Sequence, residues 1–385
     1  MQVGLVSPTT GSSWLGGLYI TQNLVLATTL LPPSERPLFR DLYWGSPPVT
    51  DPWIDIRSQL GPPAVVQLPR TLAGRARRAF RRGRRDGTMR DLFEAAGIDV
   101  MLPVRVVDKA GVPLIFHLPD FQHRYLPQIN DQRVREEFER RFEDEARAAT
   151  LVHVSSQSIR DDVERFLPEI LPKVRLVFPV SIPTPLWYER EPMPVARRLR
   201  LPERYLVIPN MVAAHKNHLS IARALAILKQ RGIKAHVVCT GKTGDYRDVS
   251  FFQRLTREIE TLGVTSRIHF TGVLERTDQM AVIRRSVAVI QPSLFEGWGA
   301  AVAEAKALGK PLLASDLPVN HEHAPGDVQW IAPLEAGTWA DAMAELLATR
   351  SPGPDLAAEE AARTRVLREG VEVGRAFVAL LREVA

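Results

Sequence analysis

Short apolar runs alternate with longer stretches of helical spacing along most of this chain. In the first half, residues 2–7, 64–68, 98–105, 113–117, 151–154 and 174–180 read as strands. Residues 19–31, 70–96, 131–149 and 155–166 carry helical spacing or helix-forming composition. The stretch 32–63 is rich in proline and tryptophan and predicts little regular structure. Residues 183–194 have many prolines and no periodicity, the composition of a linker, which places a boundary near 195. The pattern then restarts, with strands at 205–208, 234–239, 266–270, 287–291 and 312–314. Helices are expected over 219–231, 251–262, 277–286, 300–308, 338–348 and 357–383. Strands that alternate with helices in this way predict parallel sheets.

The most informative stretch is 294–316, LFEGWGAAVAEAKALGKPLLASD. It reads as strand end, glycine loop, helix and strand. Gly297 and Gly299 let backbone come close to a ligand, because no Cβ intervenes. The helix that follows offers free N–H groups and a positive dipole end to an anion. Glu296 precedes that helix, and Glu304 lies eight residues on, inside it. A ligand with phosphate at the helix start and hydroxyls on either side fits this layout, as a nucleotide-sugar does.

Three other places carry candidate chemistry. After the first strand comes a glycine-rich loop with Gly16 and Gly17, which lacks the Gly-Lys-Ser/Thr ending of a P-loop. His117 stands at the carboxyl end of a strand, where open α/β sheets bind ligands, with Asp120 and His123 further along the same loop. Lys216, in Ala-His-Lys-Asn-His, sits at the start of a helix, where an anion would offset the unfavourable dipole.

Bulk composition narrows the class without choosing a function. The chain has 385 residues, enough for two domains, and is 45% hydrophobic and 24% charged, as soluble globular proteins are. No run reaches the roughly 18 apolar residues of a membrane span, and the start reads as a strand rather than a secretory signal. Cys239 is the only cysteine, which excludes an internal disulfide and a cysteine metal cluster and suits the cytoplasm. The net charge of +6 is uneven: nine arginines fall between 70 and 90. Phe80 and Leu72 give that segment only a narrow apolar face.

With these residues in view, the chain resembles the retaining family 4 glycosyltransferases of the GT-B fold. The E-x7-E pair Glu296 and Glu304, within Pro-Ser-Leu-Phe-Glu-Gly-Trp-Gly and Glu-Ala-Lys-Ala-Leu-Gly-Lys-Pro, matches that family's signature. Trp-Leu-Gly-Gly near residue 16 and Pro-Asp-Phe-Gln-His near 120 resemble a subset acting in bacterial surface-polysaccharide and lipopolysaccharide synthesis.

The resemblance implies two facing Rossmann-like domains with a cleft between them. Residues 1–190 would form the acceptor-side domain and 196–356 the nucleotide-sugar domain, with 357–385 a helix crossing back to the first. It assigns catalysis to His117, Glu296 and Lys216. Glu296 would contact sugar hydroxyls, Glu304 the ribose, and Lys216 the donor phosphates. Donor binding would draw on Gly16, Gly17, Asn210, Lys216 and Glu296 to Ala301 (Gly297, Trp298, Gly299 and Ala300 between them), with Glu304 behind. Thr240, Gly241, Val273 and Leu274 would lie against the base. Relatives carry an arginine before the lysine; here Asn210 or a neighbour stands at that place, and His215 or Arg276 is a candidate to compensate.

The expected activity is transfer of a sugar from a UDP-, GDP- or dTDP-sugar to a saccharide or lipid-linked acceptor. No cofactor is expected, and no metal either, since the chain contains no Asp-x-Asp. Nucleic acid is not an expected partner. The 70–90 arginines instead suggest peripheral contact with the anionic inner face of the cytoplasmic membrane. A nucleotide-sugar epimerase and a non-catalytic nucleotide-sugar-binding scaffold are the alternatives.

Overall fold

A computed structural model describes residues 1–6, 15–42, 53–61, 93, 97–102, 111–129, 132–244, 248–323 and 326–385. The basic segment 70–90 and the expected strand 64–68 lie outside the described residues. The chain forms two compact units. Unit 1 comprises Met1–Asp120, Glu136–Ile182 and Leu367–Ala385; unit 2 comprises Phe121–Arg135 and Pro183–Val366.

Unit 1 has strands β1 (Gln2–Val6), β2 (Leu38–Leu42), β3 (Val100–Leu102), β4 (Ile115–His117), β5 (Leu151–Val154) and β6 (Val174–Leu176). They pair in parallel in the orders β2-β1-β3 and β4-β5-β6, and a parallel bridge from Met101 to Leu114 joins the two groups. Val3, Leu5, Val100, Met101, Ile115, Val152 and Val154 are all buried, so the strands read as unbroken apolar runs rather than alternating ones. That is the signature of a parallel sheet covered on both faces. The last helix, Leu356–Arg382, contributes its second half to this unit: Phe377 stacks on Phe39 at 6.4 Å, and Arg175 donates to Glu383. No proline interrupts this helix, so it runs unbroken for 27 residues.

Unit 2 adds β7 (Leu206–Ile208), β8 (Val237–Thr240), β9 (Ile268–Gly272), β10 (Val289–Gln291), β11 (Leu312–Ser315) and β12 (Val328–Ile331). All pair in parallel, in the order β12-β11-β10-β7-β8-β9. Its core joins Leu206, Ile208, Val237, Ile290 and Leu313 to Leu225, Leu228, Trp339 and Met343 from the covering helices. Trp339 is fully buried, and truncating such a side chain to alanine costs about 3–5 kcal/mol. The proline-rich 183–194 stretch is more ordered than its composition predicts. Pro185–Tyr188 forms a 3-10 turn and Pro192–Arg198 a helix, both with proline in the first turn, where the missing N–H costs nothing. Among the described residues, no helix is long and apolar enough to cross a membrane.

Candidate active site

The strand order of unit 2 reverses between β7 and β10. In an open parallel sheet, this switch point leaves a crevice beyond the carboxyl ends of the two strands. The loop after β7 carries Lys216 and the loop after β10 carries Glu296. They meet: Lys216 Nζ donates to Glu296 Oε1 at 2.6 Å, with the two side chains 13% and 9% exposed. A chain of amides backs the carboxylate. Asn210 Nδ2 donates to Gln291 Oε1, and Gln291 Nε2 donates to Glu296 Oε1. Asn210 is thus committed to Gln291 by its side chain, and holds Glu296 at one remove.

Asn217 ties these loops together. It has a left-handed backbone, φ 55°, which asparagine tolerates better than most residues. Its Nδ2 donates to the carbonyls of Pro292 at 2.9 Å and Pro333 at 2.8 Å, and its Oδ1 accepts from Ser220 at 2.9 Å. The backbone N–H of Leu294 also donates to the His215 carbonyl at 2.8 Å. Lys216 and Glu296 are therefore held by a network of backbone and buried side-chain bonds, not by their own pairing alone.

Glu304 lies in the second turn of the helix Ala300–Ala307 and is buried. Arg276 Nη1 reaches its Oε1 at 2.8 Å, while the guanidinium lies over the Trp187 ring at 4.9 Å. Arg276 also donates to Gln279, whose amide donates to Thr240 Oγ1 at 3.4 Å. A carboxylate has about four lone-pair sites, so Glu304 keeps the capacity to accept from hydroxyls as well. Two glycines allow the close approaches here. Gly299 caps the helix with φ 85°, and a Cβ there would sit 3.1 Å from Asn320 Oδ1. Gly241, at φ 125°, would press a Cβ to 2.7 Å from the Asn210 carbonyl oxygen. Its N–H donates to the Gly272 carbonyl at 2.8 Å. Beyond Gly272, Val273 is exposed and Leu274 half-buried.

Comparison with known proteins shows what this region is similar to. Residues 190–365 match the family of glycosyl transferases group 1. EpsF of Bacillus subtilis, a putative glycosyltransferase by name, is 30% identical over 116 residues, 29% of this chain and 27% of EpsF. The D-inositol 3-phosphate glycosyltransferase of Salinispora tropica is 34% identical over 129 residues, 31% of this chain and 26% of the relative. The aligned stretches thus span about a quarter of these curated relatives. Across the whole chain, the crystal structure of HepE from Anabaena with UDP and glucose is similar, with a TM-score of 0.64 and 15% identity. That likeness covers 100% of this chain and 98% of HepE, and shows the GT-B fold expected from the resemblance.

Within unit 2, then, the fold brings Lys216, Asn210 and Glu296 into one network and Glu304, Arg276 and Thr240 into another. Arg276 serves Glu304 and lies on Trp187; His215 is buried and lends its carbonyl to Leu294. The histidine expected at β4 belongs to unit 1. There His117 Nδ1 faces His153 Nδ1 at 3.0 Å, and both rings are buried. Gly16 and Gly17 open the helix Leu15–Thr29 of the same unit, where the Gly17 carbonyl accepts from Thr21.

The segment after His117 divides differently from its sequence neighbours. Phe121–Arg135, with His123, clusters with unit 2. His123 is buried there, and Tyr125 rests on Phe295 at 5.2 Å, next to Glu296. Gln291, Asn217 and His153 were not among the expected site residues. Asn217 could have been found, since it directly follows Lys216 at a helix start. Gln291 and His153 give no signal of their own, because each is placed by strand pairing.

Proposed function

We propose that this chain is a retaining, metal-independent glycosyltransferase that moves a sugar from a nucleotide-sugar to a saccharide or lipid-linked acceptor in cell-surface polysaccharide synthesis. The observation that carries this reading is the Lys216–Glu296 pair at the switch point. An ammonium held there can stabilise the charge that develops on a departing diphosphate, without reorganising at the moment of reaction. Glu296 then meets the sugar hydroxyls and Glu304 the ribose. UDP-sugars are the first donors to test, as HepE is described with UDP and glucose.

In this mechanism the acceptor hydroxyl attacks from the face the nucleotide leaves. The C1–O bond to the diphosphate breaks, a new C1–O bond forms on the same face, and the departing phosphate takes the hydroxyl proton. Lys216 holds the phosphate as its charge grows. The absence of Asp-x-Asp from the sequence supports a route without metal. The nine arginines between 70 and 90 support peripheral contact with an anionic membrane that carries the acceptor, each cation adding about 1 kcal/mol near the surface.

A panel of UDP-, GDP- and dTDP-sugars, each with and without saccharide acceptors, tests the reading. Product with the donor's anomeric configuration, formed only with acceptor and undiminished by EDTA, is expected. Conversion of donor without acceptor would make the chain an epimerase. Tight nucleotide binding without turnover of any pair would make it a scaffold.

A further inference from the structure

The outer edge of the unit 2 sheet brings two histidines together. Of the nine histidines in the chain, six are buried. The other three are His236, His269 and His321, and two of them meet. β8 and β9 pair in parallel with Val238 opposite His269. His236 stands two residues before Val238, so the pleat puts its ring on the same face as that of His269. His236 Nδ1 lies 3.2 Å from His269 Nε2, and the ring centroids are 5.4 Å apart. Both residues are half-buried, and β9 is the outermost strand.

Two nitrogens bound to one tetrahedral ion, each at about 2.0–2.1 Å, stand roughly 3.3–3.4 Å apart. The 3.2 Å between these rings is within a small rotation of that spacing. We propose that His236 and His269 form a two-nitrogen site for a divalent transition metal ion, zinc, nickel or copper, that clips β9 to β8. When the ion binds, the proton shared between the rings moves to the far nitrogen of the ring that held it. Neutral imidazole is the ligating form. Burial lowers the pKa of both rings, helped at His236 by His269, Lys234 and Arg267, so both are neutral at pH 7. His236 also hydrogen-bonds the Ser266 backbone, and metal-bound histidines use such a second partner to fix the ring. Lys234 and Arg267 oppose a dication, which keeps the ion exchangeable. Among the described residues no third histidine, cysteine or carboxylate joins the pair, so water completes the coordination. Imidazole nitrogens select zinc, nickel or copper, whereas magnesium and calcium prefer oxygen donors. The clip is separate from sugar transfer. His236 and His269 lie toward the amino ends of β8 and β9, whereas Thr240 and Gly272 stand at the carboxyl ends.

The test uses the full chain, stripped with EDTA and dialysed. One equivalent of Cu²⁺ should give an electron paramagnetic resonance spectrum split by two imidazole nitrogens. Zn²⁺ at about one hundred times the Kd found by calorimetry should raise Tm by about 5 °C, and Mg²⁺ at the same concentration should not. His236→Gln and His269→Gln each keep a polar side chain at a half-buried position, so both should fold. Either should weaken zinc binding by about tenfold or more and abolish the rise in Tm. His321→Gln removes the remaining surface imidazole and should bind zinc as the parent does. A copper spectrum with a single nitrogen would overturn the proposal. So would zinc binding that is unaltered in both pair variants or lost in His321→Gln, since the ion would then be adventitious or held elsewhere. A parent whose Tm does not rise with Zn²⁺ would end the idea of a clip.

Discussion

The two units hold their candidate residues by opposite electrostatic means. Unit 2 pairs charges: Lys216 with Glu296 and Arg276 with Glu304, each at hydrogen-bond distance. Unit 1 buries a neutral pair, His117 and His153, from which desolvation has driven the proton. Charged pairs at a crevice suit a ligand that brings its own charge, because phosphate can take over the ammonium without leaving it bare. Neutral acceptors suit hydroxyls, whose bonds carry direction and little charge. The difference says which perturbations should reach each unit: loss of a cation should injure the first far more than the second.

The largest effect should come from Lys216→Ala. Losing a preorganised donor at a developing anion typically costs about 10²–10³ in kcat. We expect a loss of that size in transfer from a protein that still folds, because Asn217 and the Leu294 N–H tie the two loops together without the lysine. Transfer within threefold of the parent would remove Lys216 from the chemistry. Glu304→Ala comes next. A charge-assisted hydrogen bond is worth about 1.5–3 kcal/mol, so UDP affinity should drop by roughly 10–150-fold, read by calorimetry. An unchanged affinity would leave Glu304 as no more than the partner of Arg276.

Asn217→Gly should have a smaller effect and a more telling one. Glycine accepts the left-handed backbone, so the substitution removes the three side-chain bonds without strain. If those bonds position Lys216 beside Glu296, the variant should lose about tenfold in transfer and almost nothing further in a Lys216→Ala background, since residues acting as one unit are not additive. Equal losses in both backgrounds would show that Asn217 serves the fold alone.

Much of this was legible in the sequence, for physical reasons that also set the limits. The parallel α/β fold followed from apolar runs such as those around Val289 and Leu312, which are buried on both faces and so do not alternate. The glycine loop and the helix after it were legible because Gly299 starts the run of helix formers Ala300–Ala307. The pairing of His117 with His153 was not. It depends on the register of β4 against β5, thirty-six residues apart, and no local pattern encodes it. The order in 183–194 was hidden too, since proline in a first turn starts helices as readily as it marks linkers. The allotment of Phe121–Arg135 to unit 2 had no local signal either, since it rests on packing such as Tyr125 on Phe295.

The mildest prediction concerns acid, and it bears on the neutral pair directly. Burial lowers His153, His123 and His323 to about 4 and His218 to about 3, against 6.5 for the free side chain. These folded values are depressed, so the unfolded chain takes up protons first as pH falls. The stability they confer is complete above about pH 6.5 and is lost as pH drops from there toward 4. Each such histidine costs at most about 1.4 kcal/mol per pH unit across that window. Carboxylates titrate mainly below it, so melting temperatures between pH 7 and pH 5 isolate the histidines. The parent should melt progressively lower across that range. His153→Phe should flatten the slope, because it removes one buried site that must stay neutral. A parent whose melting point does not change from pH 7 to pH 5 would mean that the buried rings take protons without cost. The neutral pair of unit 1 would then lose the feature that sets it apart from the charged site.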